Sequence, residues 1–361
     1  MSRVKVLVVD DSALMRKIIS DMINSEEDME VIDVARNGQD LMEKLQKQLP
    51  DVITLDVEMP QMDGITALKE LKKKNMNIPV IMLSSVSQKG TEKTMECLEA
   101  GAFDFIPKPS GAISLDINKV KDDLVEKIRV SYQRNDYKGK ANPVKSDSVV
   151  EKNVAAAPLV STVNVRKRFT NKVEAVVIGA STGGPKALYT VITSLPETIG
   201  VPVFVVQHMP VGFTKAFADR LNSNSKIKVK EASDGDIIEK NTVYIAPGGY
   251  HMEVSNEKKI RLTTEPAIWG VRPAVDKLFF SATKVYGGKL VSAILTGMGR
   301  DGADGTVDVK KCGGFTISED KTTCTIYGMP KAAFETGKVD LVLPIDTITS
   351  EIVKIVKGEG R

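Results

Sequence analysis

The chain has 361 residues, 42% of them apolar and 27% charged, and a net charge of +3. This balance excludes an overall disordered or membrane-embedded class, and the length exceeds what one small core organises, so two domains of ordinary size are expected. So small a net charge leaves no concentrated basic field for nucleic acid; the N-terminus lacks an apolar secretory segment and apolar runs are only strand-sized, so a cytoplasmic protein without membrane insertion is expected. The three cysteines, Cys97, Cys312 and Cys324, are scattered without zinc spacing and odd in number, which leaves packing as their default role.

In chain order, residues 1–130 alternate helical patterns with strand-like stretches at Val4 to Val9, Val31 to Ala35, Val52 to Val57, Val80 to Ser84 and Asp104 to Ile106. Met15, Ile18, Ile19, Met22 and Ile23 recur at the spacing that buries one helix face. Strands separated by helices predict a parallel, doubly wound sheet, with its functional edge at the strands' carboxyl ends. From Tyr132 to Lys172 this periodicity fails, so residues 131–171 are expected as a flexible linker. The α/β rhythm resumes in residues 172–361, with Ala175 to Gly179, a helix from Pro185, Val201 to Gln207 and a helix around Lys215 to Leu221. Thr242 to Ala246, His251 to Val254 and Lys259 to Thr263 are expected as short antiparallel strands, followed by α/β pieces beginning at Leu290, Phe315 and Leu341. The expected class is α/β: two mostly parallel doubly wound sheets, the second carrying an antiparallel hairpin insertion.

Asp10 and Asp11 close the first strand, Asp56 the third, Ser84 the fourth and Lys108 the fifth. All belong to one sheet edge, where three mutually repelling carboxylates suit a hard divalent cation such as Mg²⁺ and a lysine suits phosphoryl oxygens. Helix capping is an equal explanation for Asp11 or Ser12, but not for Asp56 and Lys108. Val8-Val9-Asp10-Asp11-Ser12, Leu55-Asp56-Val57-Glu58-Met59-Pro60, Asp63-Gly64 and Lys108-Pro109 resemble the response-regulator receiver family. The resemblance implies a flavodoxin-like domain in which Asp56 accepts phosphate from a histidine kinase. It further implies that Asp10, Asp11 and Asp56 bind Mg²⁺ and that Ser84 and Lys108 sense the acyl phosphate. Phe105 falls at the family's switch-aromatic position, where core packing is the competing role.

In the second half, Gly179-Ala180-Ser181-Thr182-Gly183-Gly184 lies between a strand and a helix. Such a turn exposes a serine nucleophile, or cradles a dinucleotide; unpaired N–H groups at the helix start suit either an oxyanion or a phosphate. The next strand ends in Gln207-His208 rather than the acid a ribose calls for, which favours the nucleophile. The chain has two histidines, and only His208 sits at a strand end beside Ser181; His251 is expected to be structural. Asp301 follows the strand Leu290 to Leu295 in a glycine-rich loop and can orient the imidazole or, alternatively, cap the next helix. The order Ser, His, Asp departs from that of α/β-hydrolases.

Gly179 to Gly184, Gln207-His208-Met209-Pro210, Ala246-Pro247-Gly248-Gly249, Thr296 to Gly302 and Tyr327-Gly328-Met329-Pro330 together resemble the catalytic domain of chemotaxis protein-glutamate methylesterases. That resemblance implies a Rossmann-like domain with Ser181, His208 and Asp301 as a triad, backbone donors at Thr182 and Met298 for the oxyanion, and no cofactor for the ester chemistry. It implies hydrolysis of glutamate γ-methyl esters on chemoreceptors with release of methanol, deamidation of receptor glutamines, and an unphosphorylated receiver that covers the site. A serine esterase of another substrate under receiver control is the alternative. Trp269-Gly270-Val271-Arg272-Pro273-Ala274 departs from the pattern, since members often carry His before the Arg and Ser after the Pro, and this leaves substrate contacts there open. A DNA-binding output is disfavoured by the many strands and the missing basic recognition helix.

Overall fold

A computed structural model describes residues 3–109, 116–139 and 171–359. The first domain alternates β1 (Val4–Val9), α1 (Ala13–Asn24), β2 (Met29–Ala35), α2 (Gly38–Leu45), β3 (Val52–Asp56), α3 (Gly64–Lys73), β4 (Val80–Ser84), α4 (Gln88–Ala100), β5 (Asp104–Pro107) and α5 (Asp116–Gly139). Side-chain oxygens start several of these helices: Ser12 accepts from Met15 N, Asn37 from Asp40 N, Asp63 from Thr66 N and Ser87 from Gly90 N. The strands form one parallel sheet in the order β2-β1-β3-β4-β5. β3 and β4 are buried along their whole length, which is why they read as unbroken apolar runs rather than alternating ones. The pairing of Val9 with Leu55 sets Asp10 beside Asp56 at the carboxyl edge. α5 continues to Gly139, past the boundary expected at 130; residues 140–170, most of the expected linker, lie outside the described residues.

The second domain comprises β6 (Ala175–Ala180), α6 (Gly184–Thr193), β7 (Val203–Gln207), α7 (Phe213–Asn224), β8 (Lys228–Glu231), β9 (Thr242–Ile245), β10 (His251–Val254) and β11 (Ile260–Thr263). It continues through α8 (Val275–Tyr286), β12 (Leu290–Ile294), α9 (Ala303–Lys311), β13 (Phe315–Glu319), α10 (Met329–Glu335), β14 (Leu341–Leu343) and α11 (Ile345–Lys357). Seven strands form a parallel sheet ordered β14-β13-β12-β6-β7-β9-β8. The chain winds outward in both directions from β6, so the switch point lies between β6 and β12, where open α/β sheets offer a crevice at their carboxyl ends.

One expectation is corrected here: Thr242 to Ala246 is not part of an antiparallel set. β9 lies parallel between β7 and β8, and only β10 and β11 pair antiparallel, as the hairpin insertion. A short, fully buried apolar strand carries no sign of its partner's direction, and the partner β8 is a charged edge strand, Lys-Val-Lys-Glu, with little apolar signal.

Candidate active site and acidic pocket

At the carboxyl edge of the first sheet, Asp10, Asp11 and Asp56 bring carboxylate oxygens within 4.8 Å of one another. Asp10 and Asp56 are buried while Asp11 is open to solvent. Hard oxygen donors gathered at one sheet edge, with Asp11 open to solvent, fit a hard divalent cation that keeps part of its water shell. Lys108 Nζ bridges the buried pair, 2.8 Å from Asp10 Oδ2 and 2.8 Å from Asp56 Oδ2. Burial pushes the Asp56 carboxyl up to about 6, with the Asp10 charge adding to it and Lys108 pulling the other way. Burial works against the Lys108 cation, yet its ties to the two aspartates outweigh it and hold the ammonium above its usual value.

Ser84 is buried at the end of β4, but its hydroxyl is engaged with α4 rather than with the carboxylates. It accepts from Thr94 Oγ1 at 2.5 Å and faces the carbonyls of Ser85 and Gly90.

In the second domain, Ser181, His208 and Asp301 follow β6, β7 and β12, neighbours in the sheet. Ser181 N donates to Thr296 O, and His208 N donates to Ala180 O, so both turns are tied to the sheet at the residues of interest. Three glycines are required by close approach. A Cβ on Gly297 would come within 2.8 Å of Ser181 Cβ, one on Gly184 within 2.0 Å of Gln207 Oε1, and Gly183 adopts φ +75° against Thr325. Thr296 stitches the serine turn down: its hydroxyl donates to Thr182 O, and its N–H donates to the buried Glu319 carboxylate at 2.7 Å.

His208 Nε2 lies 2.7 Å from Asp301 Oδ2. Asp301 is buried and also accepts from Val275 N at 2.6 Å and Asp276 N at 2.9 Å, the first two N–H groups of α8, where the helix end favours negative charge. Among the described residues, Ser181 Oγ and the N–H groups of Thr182 and Met298 have no hydrogen-bond partner. The crevice thus gathers a free hydroxyl, an imidazole fixed by a carboxylate, and two uncommitted backbone donors. His251 stands apart: it is fully buried, Nε2 meets Pro266 O and Nδ1 accepts from Ala274 N, so both nitrogens are used in packing the hairpin on α8.

Comparison with known proteins resolves the two halves. Residues 6–118 match the family model for the response regulator receiver domain and residues 176–352 that for CheB methylesterase. A "Protein-glutamate methylesterase/protein-glutamine glutaminase" of Clostridium acetobutylicum is 59% identical over 361 residues, covering 100% of both chains. The chain belongs to the CheB methylesterase family. A relative of the same name from Pyrococcus horikoshii is 45% identical over 99% of this chain and 96% of its own. The crystal structure of the Thermotoga maritima CheB methylesterase catalytic domain matches with 46% identity and a TM-score of 0.50, covering 51% of this chain and 99% of that one.

In this CheB methylesterase family member the receiver packs on the catalytic domain chiefly through α4 against α7 and α6. Phe105 and Phe213 meet with tilted rings, 4.5 Å between centroids, with the Lys127 ammonium 5.6 Å from the Phe105 ring. Arg220 grips Glu99 with Nε at 2.7 Å and its second nitrogen on the other oxygen. Val86, just beyond β4, meets Gly212 in the loop that follows His208, where a Cβ would lie 3.1 Å from it. A cavity of about 230 Å³ remains in the seam, between Met95, Tyr189 and Phe217. None of these contacts was legible as a pair: Glu99 and Arg220 are far apart in sequence and each reads as part of a solvated helix face. Among the described residues, no helix is long and apolar enough to cross a membrane.

Proposed function

We propose that this protein hydrolyses glutamate γ-methyl esters on methyl-accepting chemoreceptors, and deamidates receptor glutamines, by a Ser-His-Asp mechanism in the cytoplasm. The observation that carries this is the pairing of His208 with Asp301 at 2.7 Å beside the free Ser181 hydroxyl, in a family whose relatives bear that name. With Nε2 committed to Asp301, Nδ1 of His208 is the nitrogen that takes the proton from Ser181 as its oxygen attacks the ester carbonyl. The N–H groups of Thr182 and Met298 receive the charge that develops on the carbonyl oxygen. Collapse of the tetrahedral adduct expels methanol, protonated by His208, and leaves Ser181 acylated. His208 then deprotonates a water that attacks the acyl group, giving the glutamate carboxylate and restoring the serine. A carboxamide follows the same path with ammonia as the leaving group.

Asp56 is the phosphoacceptor in this reading, with a chemotaxis histidine kinase as donor. Asp10, Asp11 and Asp56 would hold Mg²⁺, which neutralises charge on the phosphoryl group during transfer. Ser84 and Lys108 bind the transferred phosphoryl oxygens. Phosphorylation acts by favouring states in which the receiver no longer covers the loop after His208, since a modification shifts an equilibrium only through differential interactions.

The test is release of volatile methanol from receptor membranes carrying radiolabelled methyl esters, with and without a small-molecule phosphodonor. Release that rises with phosphodonor and is lost in Ser181→Ala is expected. Undiminished release by Ser181→Ala would overturn the mechanism, and no release by the wild type would leave an esterase of another substrate.

A further inference from the structure

α8 and α9 both begin without a side-chain cap of their own, at Ala274 and Gly302. Each is capped by the other's aspartate. Asp301, just ahead of α9, accepts from Val275 N and Asp276 N at the start of α8. Asp276, in the first turn of α8, accepts from Gly305 N at the start of α9, at 2.7 Å on Oδ1. Two buried carboxylates thus lie side by side, each holding the helix from which the other projects, and rotation of one disturbs the other.

The second oxygen of Asp276 faces outward and accepts from Trp269 Nε1 at 3.1 Å. Trp269 is 52% exposed. It occupies the first position of a two-residue turn in which Trp269 has φ +53° and Gly270 φ +77°, closed by the reciprocal bonds of Ile268 and Val271. A bulky residue in the left-handed region is strained and stays there only when its surroundings hold it. Two groups do so here: the Asp276 carboxylate at its N–H, and the Arg300 guanidinium 4.8 Å from its ring centre. Arg300 immediately precedes Asp301, so the contacts close into a ring running Asp301, Asp276, Trp269, Arg300.

We propose that Asp276 is a positioning residue for the hydrolytic reaction: it fixes Asp301 through crosswise helix capping and holds Trp269 over the Asp301 loop as a wall against which the substrate chain packs. Because it acts through Asp301, this role rests on the proposed triad. It also accounts for a tryptophan in a tight turn at φ +53°: the side chain is kept where its indole N–H reaches a buried carboxylate. The charged groups around Asp276 are Asp301 and, through it, His208, together with Asp304 on α9 and Arg300 across the indole. Burial, with Asp301 and Asp304 adding to it, pushes the Asp276 carboxyl up to about 6, against the donors Gly305 N and Trp269 Nε1.

The experiment compares Asp276→Asn, Trp269→Phe and Trp269→Ala with wild type and Ser181→Ala. It uses the full chain with phosphodonor, following methanol release across pH 5–9. Asp276→Asn is expected to lower kcat by about 10- to 100-fold with little change in KM, as a misplaced orienting group does. The part of the acidic limb set by the Asp276 carboxyl, which sits at about 6, should be absent from the variant's profile. Trp269→Phe keeps an aromatic ring but loses the N–H donor and the fused five-membered ring, so it should reproduce part of the kcat loss with little change in KM. Trp269→Ala should raise KM as well. Should Asp276→Asn fail to fold, the two tryptophan variants decide the matter by the same kcat and KM split. Wild-type kcat, KM and pH profile in Asp276→Asn, or wild-type kinetics in both tryptophan variants, would overturn the role while Ser181→Ala stays inactive. Full activity of Ser181→Ala would instead overturn the triad, and this role with it.

Discussion

His208 presents Nε2, not Nδ1, to the Asp301 carboxylate, and Val275 N, at 2.6 Å, shares the same oxygen. An ionised carboxylate only accepts, so in the proposed mechanism the ring proton sits on Nε2 and Nδ1 is the base. The arrangement follows from the fold. Asp301 is held from behind by the start of α8, and the imidazole comes from β7 on the far side of β6, so the ring meets the acid with its outer nitrogen.

Replacing Asp301 by Asn tests this directly. An amide can turn its NH₂ toward the imidazole and favour the wrong tautomer, and it loses one of two acceptor sites on the N-terminus of α8. The expected outcome is a fall in kcat of about 10⁴-fold with KM nearly unchanged. Far-UV circular dichroism should show the fold intact. A fall of less than tenfold would mean that Asp301 serves mainly as a helix cap.

The acidic pocket predicts a pH dependence of stability. The Asp56 carboxyl is pushed up from 3.8 to about 6 by burial. A raised acid binds its proton more tightly in the folded chain than in the unfolded one, so the associated stability is present below pH ~4 and is lost as pH rises toward ~6. Asp56→Asn removes that loss. The variant should melt with wild type near pH 4 and above it at pH 7–8, by on the order of 1–2 kcal/mol. Saturating Mg²⁺ should close the gap by stabilising the wild type, and Asp11→Asn should weaken that response. Parallel melting curves at all pH values would show that burial of the Asp56 carboxyl does not cost stability.

Ser84 offers a second test of the receiver. Its hydroxyl is tied to α4 through Thr94 Oγ1 and the Gly90 carbonyl, and α4 is the helix that packs on α7. A phosphoryl oxygen on Asp56 that draws this hydroxyl away would release bonds to the interface helix. Thr94→Val removes the hydroxyl that donates to Ser84 at nearly constant volume. Half-activation at a several-fold lower phosphodonor concentration is expected. An unchanged activation curve would show that Ser84 does not transmit the signal through α4.

What the sequence made legible is what local rules govern. Asp10, Asp56 and Lys108 close strands whose alternation with helices puts them on one edge, and Ser181, His208 and Asp301 do the same in the second sheet, so both clusters follow from element order alone. Contacts that depend on three-dimensional pairing were hidden. Asp276 reads as an ordinary acid in the first turn of a helix, and nothing local shows that its partner is the first turn of another helix. Glu319 ends a strand and reads as a rim charge, yet it is buried against Thr296 N beneath the serine turn. β9 was legible as a strand but not in its direction, because four buried residues carry no information about which neighbour they meet.

The Arg220–Glu99 pair sets the last expectation. It joins α7 to α4 across the seam, with both side chains part-exposed. Such a pair contributes about 0.5–1 kcal/mol, which in a two-state equilibrium between covered and open arrangements amounts to roughly 2- to 5-fold. Arg220→Ala should therefore raise methanol release by the unphosphorylated protein by about that factor, while the fully stimulated rate changes little. The rise should be largest at low salt, where the wild-type pair is least screened. Reversing both charges, with Glu99→Arg and Arg220→Glu together, should restore the low resting rate, whereas either reversal alone should raise it further than alanine does. A resting rate unaffected by Arg220→Ala and by both single reversals would mean that this contact does not hold the receiver over the loop after His208, and that the apolar contact of Phe105 with Phe213 carries the docking instead.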